Sequence, residues 1–333
     1  MIRPGFNDQR LIKLIQGSVE ECRLDLAGRV VLTEAATGAY VVTPIIAALA
    51  GAERVLAFTR ASRYGSLEEV TEVTTRLARA AGVESRLELV TCKLQGAAVA
   101  DVVTNSGHLR PIDAEMIQRL QPHAVIPLMY EAWELRQKDL DLNACKRHGI
   151  AVAGTNERHP AIDVFSYLGC MALKALFDAG ISVYSSRILL ICDNPFSPYI
   201  ERALRAAGAE LLTVTSPMQL ELPEKLDAVL VAVNPSANPV LGEEFARALS
   251  RRAPGAVVVQ FWGDLERSHF CAHHLALWPE MPPAPGHMAV IPSDLGPEPV
   301  VRLQTGGLKV AEVLLRAAAD RTPQDLEFID AIC

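Results

Sequence analysis

Residues 29–58 read RVVLTEAATGAYVVTPIIAALAGAERVLAF. Two short apolar runs, RVVL (29–32) and RVLAF (54–58), flank an apolar helical segment, TPIIAALAG (43–51). Pro44 falls in the first turn of that segment and Gly51 at its end, the places where each residue suits a helix. Short strands that are apolar throughout and separated by helices imply parallel strands buried on both faces, with helices above and below the sheet.

The same alternation extends in both directions. Residues 7–22 place Leu11, Ile12, Leu14, Ile15 and Val19 at helical spacing. Ser66 and Glu69 form a capping-box pair opening a helix to about Ala81. LELV (87–90), DVVT (101–104), AVIPL (124–128) and GIAVAG (149–154) read as further strands, with a helix over Asp113–Leu120. A long helix over 160–179 leads into a second series: RILLIC (187–192), a helix at 196–207, ELLTVT (210–215), DAVLVAV (227–233), a helix at 242–252 and AVVVQF (256–261). Seven prolines between 278 and 299 imply an ordered loop or crossing segment, and a helix over 303–319 follows. The expected fold is α/β, with two Rossmann-like parallel-sheet lobes joined by an inter-lobe helix. Residues 1–158 and 300–333 form a substrate or catalytic-type lobe; residues 159–299 form that helix and a degenerate dinucleotide-binding-type lobe.

The chain has 333 residues, half of them hydrophobic, enough for two ordinary domains. A net charge of -7 without a clustered basic face argues against a nucleic-acid partner. Seven dispersed cysteines without a C-x-x-C pair read as reduced thiols, so a cytoplasmic location is expected. The N-terminus lacks a signal-peptide pattern, and the apolar stretch 161–183 carries Asp163, Lys174 and Asp178, which reads as a buried helix and not a membrane span.

Three segments carry a family likeness: ADVVTNSGHLRPIDAEMIQRLQPHAVIPL (100–128), KDLDLNACKRHGIAVAGTNERHP (138–160) and AIDVFSYLGCMALKALF (161–177). Asp139, Asp141, Ala144, Cys145, Gly149, Ile150 and Val152 resemble the "D-x-D-x-x-A-C-x-x-x-G-I-x-V" run of the D-isomer-specific 2-hydroxyacid dehydrogenase family. The resemblance covers about 100–320 and implies an inter-lobe helix and a nucleotide-binding lobe. The family's glycine turn is absent: Cys192-Asp193-Asn194-Pro195-Phe196 stands there. Its catalytic arginine and histidine are matched by Trp262-Gly263-Asp264 and Ser293-Asp294. The resemblance therefore implies a divergent member that keeps the scaffold and not the ordinary chemistry. A second nucleotide signal, similar to NADP-dependent folds, is Thr37-Gly38 after the first strand, with Arg60 and Arg63 after the second.

The polar residues that follow strands gather in three loops: Asn105–Pro111, Tyr130–Arg136 and Thr155–Pro160. Ligands bind at this edge of open parallel sheets. His159, Glu134 and His108 are the candidate catalytic acids and bases. Arg110, Arg136, Asn156 and Arg158 are candidate substrate ligands, since guanidiniums grip carboxylates and phosphates in bidentate fashion. Thr37, Gly38, Arg60, Asn194 and Asn234 are the candidate cofactor contacts. Each of these, taken singly, is also explained as a loop-holding ion pair, cap or turn residue. Glu34 and Glu131 extend the group. His269, His273 and His274 are read as surface residues, and no metal is expected. The leading reading is an enzyme acting on a small anionic metabolite, with NAD or NADP as the cofactor the scaffold implies. A lyase, isomerase or hydrolase without the cofactor is the alternative, and a non-catalytic metabolite-binding or scaffold protein is the third. A homodimer is compatible with all three.

Overall fold

A computed structural model describes residues 3–62, 64–216, 222–236 and 241–332. Arg63, named above, and Cys333, one of the seven cysteines, lie outside them. The chain divides into two compact units, residues 1–164 with 296–333, and residues 165–295.

Unit 1 is built on β1 (Val30–Glu34), β2 (Arg54–Phe58), β3 (Leu87–Val90), β4 (Val102–Val103), β5 (Val125–Pro127) and β6 (Ala151–Thr155). These run parallel in the order β6-β5-β4-β1-β2-β3. The period-two alternation of a strand splits their side chains between two cores. Val31 and Val55 enter one with Ile45 and Ile46; Leu32 and Leu56 enter the other with Ile112 and Ile126. Each fully buried aliphatic side chain contributes about 1.5–3 kcal/mol, which explains why strands of two to five residues suffice.

Unit 2 holds β7 (Arg187–Ile191), β8 (Glu210–Val214), β9 (Ala228–Ala232), β10 (Val257–Trp262) and β11 (Ala276–Trp278), parallel in the order β11-β10-β9-β7-β8. Ile188 and Leu190 face one core, Leu189 and Ile191 the other. The two expected Rossmann-like parallel sheets are therefore present. Unit 1 also gains β12 (Ile329–Asp330), antiparallel to β6 at the sheet's end.

Four expectations need adjustment. The helix expected over 160–179 is Tyr167–Asp178. Pro160, a φ of +43° at Asp163 and the Val164 N–H bond to the Glu157 carbonyl turn residues 157–166 into a compact loop. The helix expected over 303–319 is Glu298–Leu315: Pro299 is accommodated in its first turn, and Arg316 is extended. The proline-rich segment begins just after β11, an unanticipated strand, and contains a short helix at Pro292–Leu295. β12 is likewise unanticipated.

The Glu298–Leu315 helix seats closely on the ends of β5 and β6 through Gly306 and Gly307. A Cβ on Gly307 would lie 2.4 Å from Met129 Sδ and 3.1 Å from its Cα; one on Gly306 would lie 2.5 Å from Ile162 Cδ1. Glycine permits that approach. Met129 itself takes a φ of +64°, so the chain turns abruptly after β5 and delivers Tyr130 and Glu131 to the sheet's edge.

Candidate functional site

In unit 1 the strand order reverses direction between β1 and β4, the point at which open α/β sheets leave a crevice beyond their carboxyl ends. Glu34 is the last residue of β1 and is 5% exposed. Its Oε2 accepts the His108 N–H at 3.1 Å, from the loop after β4. Gly107 makes room: a Cβ there would come within 1.6 Å of Glu34 Oε2. Burial pushes the Glu34 carboxyl above its usual range, against smaller lowering by the His108 bond and by Arg110.

Arg110 leaves the same loop, lies 5.5 Å from the centre of the Tyr130 ring and reaches Asp139 Oδ2 at 3.5 Å. Asn105 is fully buried; its Nδ2 donates to Tyr130 Oη at 2.7 Å, while its Oδ1 has no partner among the described residues. Burial pushes the phenols of Tyr40 and Tyr130 to about 12, with Arg110 opposing in both.

The loops after β5 and β6 bring three more carboxyls together. Glu131 is 3% exposed, and its Oε2 accepts from Trp133 Nε1 at 2.8 Å and from Arg158 Nη2 at 3.4 Å. Glu157 is 8% exposed. Burial, then the charges of Glu134 and Glu131, hold the Glu157 carboxyl well above the usual carboxylate range. Burial and the Glu131 charge raise Glu134 to about 7, with Arg136 and Arg110 pulling the other way. Glu134 is exposed, so solvent screens its charge interactions more than those of buried Glu157. Glu134 and Glu157 are each raised by neighbouring carboxylates of the group, so the three give up their protons as a group and not singly. Beside it is an open pocket of about 1040 Å³ within unit 1, walled by Glu131, Trp133, Asn156 and Arg158 and by residues 329–332.

The other expected site residues lie as follows. Asn156 joins the loop to the C-terminal segment: its Nδ2 donates to the Glu327 carbonyl at 2.8 Å and its Oδ1 accepts the Arg158 N–H at 3.1 Å. His159 stacks on Phe328 with ring centres 3.7 Å apart, and its Nδ1 accepts the Ala161 N–H at 3.2 Å. Burial lowers its pKa, so the ring is neutral at pH 7 with its proton on Nε2. His108 is likewise lowered, first by burial and then by the charge of Arg60. Thr37 Oγ1 donates to the Tyr64 carbonyl at 2.9 Å, and Gly38 takes a φ of +64° in the β1 turn. Glu157, Asn105 and Tyr40 carry no separate weight in the sequence reading. The available signal for Glu157 is its place two residues after a buried strand end, inside a loop already singled out.

Asn194 and Asn234 lie in unit 2, where the family resemblance implies a nicotinamide dinucleotide. Asn194 Oδ1 accepts the Phe196 N–H at 3.1 Å and its Nδ2 donates to the Ala232 carbonyl at 2.7 Å. Asp193 Oδ1 accepts the Asn234 N–H at 2.8 Å. A pyrophosphate needs open backbone N–H groups at this helix start; here side chains hold the turn and a carboxylate stands in it. The residues of this turn do not fit that group. His269 and His273 both bind Glu243, at 3.0 and 2.7 Å. Among the described residues, no three His, Cys, Asp or Glu side chains are grouped to hold a metal ion, and no helix is long and apolar enough to cross a membrane.

No family model and no curated protein matches the sequence. Among solved structures, a dipicolinate synthase from Bacillus halodurans is similar at a TM-score of 0.58 and 10% identity, over 88% of this chain and 100% of that one. The dipicolinate synthase from Bacillus subtilis gives 0.54 and 10%, over 88% and 97%. The NAD-dependent formate dehydrogenase of Staphylococcus aureus gives 0.47 and 14%, over 78% and 94%. The dipicolinate synthase likenesses are likenesses of fold, and at that level the resemblance expected over residues 100–320 holds.

Proposed function

We propose that the chain is an enzyme that binds a small anionic metabolite at the polar edge of the unit 1 sheet and moves a proton on it without a redox step. The observation that carries this reading is the group of three carboxyls, Glu131, Glu134 and Glu157, all raised above the usual carboxylate range, beside Arg110, Arg136 and Arg158. Glu134, solvent-reached and near 7, is suited to take a proton from a carbon next to a carboxylate. Glu157, held well above the usual carboxylate range by burial, is the group that can give one back. Arg110 and Arg136, both felt by Glu134, would hold the substrate anion and offset the charge that develops as the C–H bond breaks. His159 and Asn156 support the reading as positioning residues, since both tie the β6 loop to residues 327–328.

The test is deuterium exchange in heavy water, followed by proton NMR, over a panel of small hydroxy-, keto- and dicarboxylates with no added cofactor. The dipicolinate synthase neighbours make dicarboxylates sensible first probes. Exchange of a C–H beside a carboxylate, abolished by Glu134→Gln, is the expected result. No exchange with any member, and none of the panel bound, would overturn it.

One observation favours a second reading. The strand order of unit 1, β3-β2-β1-β4-β5-β6, is the order of dinucleotide-binding sheets, whereas unit 2 has the flavodoxin-like order. An NAD(P)-linked enzyme would then use the β1 turn, with Gly38 and Arg60 near the nucleotide. Calorimetric titration with NAD and NADP, using Arg60→Ala as the control, separates the two readings.

A further inference from the structure

The pocket beside the carboxyl group has a lining that binding a simple anion leaves unused. Trp133 stands on its wall, 53% exposed, and its indole N–H is tied to Glu131 Oε2 at 2.8 Å, which fixes the ring in place. Gln137, Asn143 and Asn156 bring amides to the lining, and Asp141 and Asp330 bring carboxylates. Asp141 Oδ1 accepts the Ala144 N–H at 2.8 Å and Asp330 Oδ2 the Ala132 N–H at 2.6 Å. An ionised carboxylate offers about four lone-pair sites, so each retains acceptor capacity. Arg158 is the cation of the wall.

Each class of ligand can be weighed against this lining. A purely apolar body would bury amides and carboxylates without partners, which is costly. A compact dianion would face Glu131, Asp141 and Asp330 with a single guanidinium opposite them. A ring carrying several hydroxyls fits both features. Its C–H face lies on the indole, and each hydroxyl donates to a carboxylate while accepting from an amide or from Arg158.

We infer that this pocket takes a hydroxyl-rich ring, so that the metabolite of the proposed reaction is derived from a sugar or a cyclitol. The substrate class rests on that proposed reaction, through Glu131, which belongs to both the pocket and the carboxyl group.

The experiment is calorimetric titration of the full chain with glucose, glucuronate, myo-inositol and glutarate, for the wild type, Trp133→Ala, Trp133→Phe and Asn143→Ala. At least one ring binds, Trp133→Ala weakens it about tenfold, and Trp133→Phe retains most of the affinity. Asn143→Ala weakens it severalfold. Glucose or glucuronate as the preferred ring assigns a sugar; myo-inositol assigns a cyclitol. Unchanged melting temperatures keep the loss from being a folding defect. No binding of any ring at tens of millimolar, or equal binding by Trp133→Ala, overturns the inference. Glutarate binding without ring binding sinks the substrate class and leaves the proton-transfer reading standing. Trp133-dependent ring binding without deuterium exchange does the reverse.

Discussion

Glu157→Gln exchanges a buried carboxyl for a neutral amide of the same shape. In the folded chain burial and two like charges raise Glu157 well above 4.5, its ordinary value. A raised carboxyl binds its proton more tightly folded than unfolded. Its stability contribution is therefore fully present below about pH 4.5 and is lost as pH rises through the folded-state value. Each proton kept by the folded chain and lost by the unfolded one removes roughly 1.4 kcal/mol of stability per pH unit. The wild type should lose stability as pH rises above 4.5, since Glu34, Glu131 and Glu134 are raised too, while the lowered His108 and His159 offset part of the loss up to 6.5, their ordinary value. The variant removes one proton from the difference and a like charge from its neighbours. At pH 8 it should be more stable than the wild type, and its slope should be shallower by up to one proton's worth, roughly 1.4 kcal/mol per pH unit. The assay is urea unfolding from pH 5 to 8.5 in a Trp262→Phe, Trp278→Phe background, where Trp133 is the only tryptophan and reports on unit 1. A variant with the wild-type slope, or one less stable at pH 8, would refute the argument that Glu157 holds a proton in a like-charge cluster.

Further outcomes follow from the same geometry. Gly107→Ala should destabilise unit 1, because the new Cβ collides with the Glu34 carboxyl, and Glu34→Ala should rescue part of the loss; a double-mutant cycle should give a coupling of about 1 kcal/mol or more, and simple additivity would count against the contact. Arg158→Ala should weaken an anionic ligand by roughly 1.5–3 kcal/mol in calorimetry, with an unchanged affinity placing the anion elsewhere. Asp193→Gly should not create micromolar NAD binding in unit 2, since Asn194 still caps the Phe196 N–H; tight binding by the wild type would reverse the reading of that turn.

The fold is legible because apolar runs and helical segments alternate with few exceptions, and all ten expected strands form. The strands that escape notice, β11 and β12, have three and two residues, too short for a periodic signal. The helix expected at 160–179 is too long at its start because Ala161, Ile162, Val164 and Phe165 are apolar and buried, yet they pack from a loop. Strand order cannot be read at all: the same alternation yields two different orders in the two units. The three site loops are visible as polar residues after strands. What is not visible is which side chains oppose which. Glu34 meets the His108 N–H across 74 residues of chain, and Gly107 looks like an ordinary turn glycine until that carboxyl is placed against it.

The local structure also separates loop-holding from chemistry. Glu131 is explained by what it holds, since Trp133 and Arg158 both bind it. Glu34 is partly explained in the same way, through the His108 N–H. Glu157 is not. The Glu131 main-chain N–H lowers it, but the larger effects are burial and two neighbouring carboxylates, and all of these raise it. A glutamine would fill the same space and accept the same N–H without the charge. A buried acid that costs stability at neutral pH, and that a neutral isostere would relieve, has no return in the folding of unit 1. On the proposed reading its return is a proton available at the sheet's edge, where Arg110 and Arg136 act on Glu134 and where the pocket opens beside Glu131.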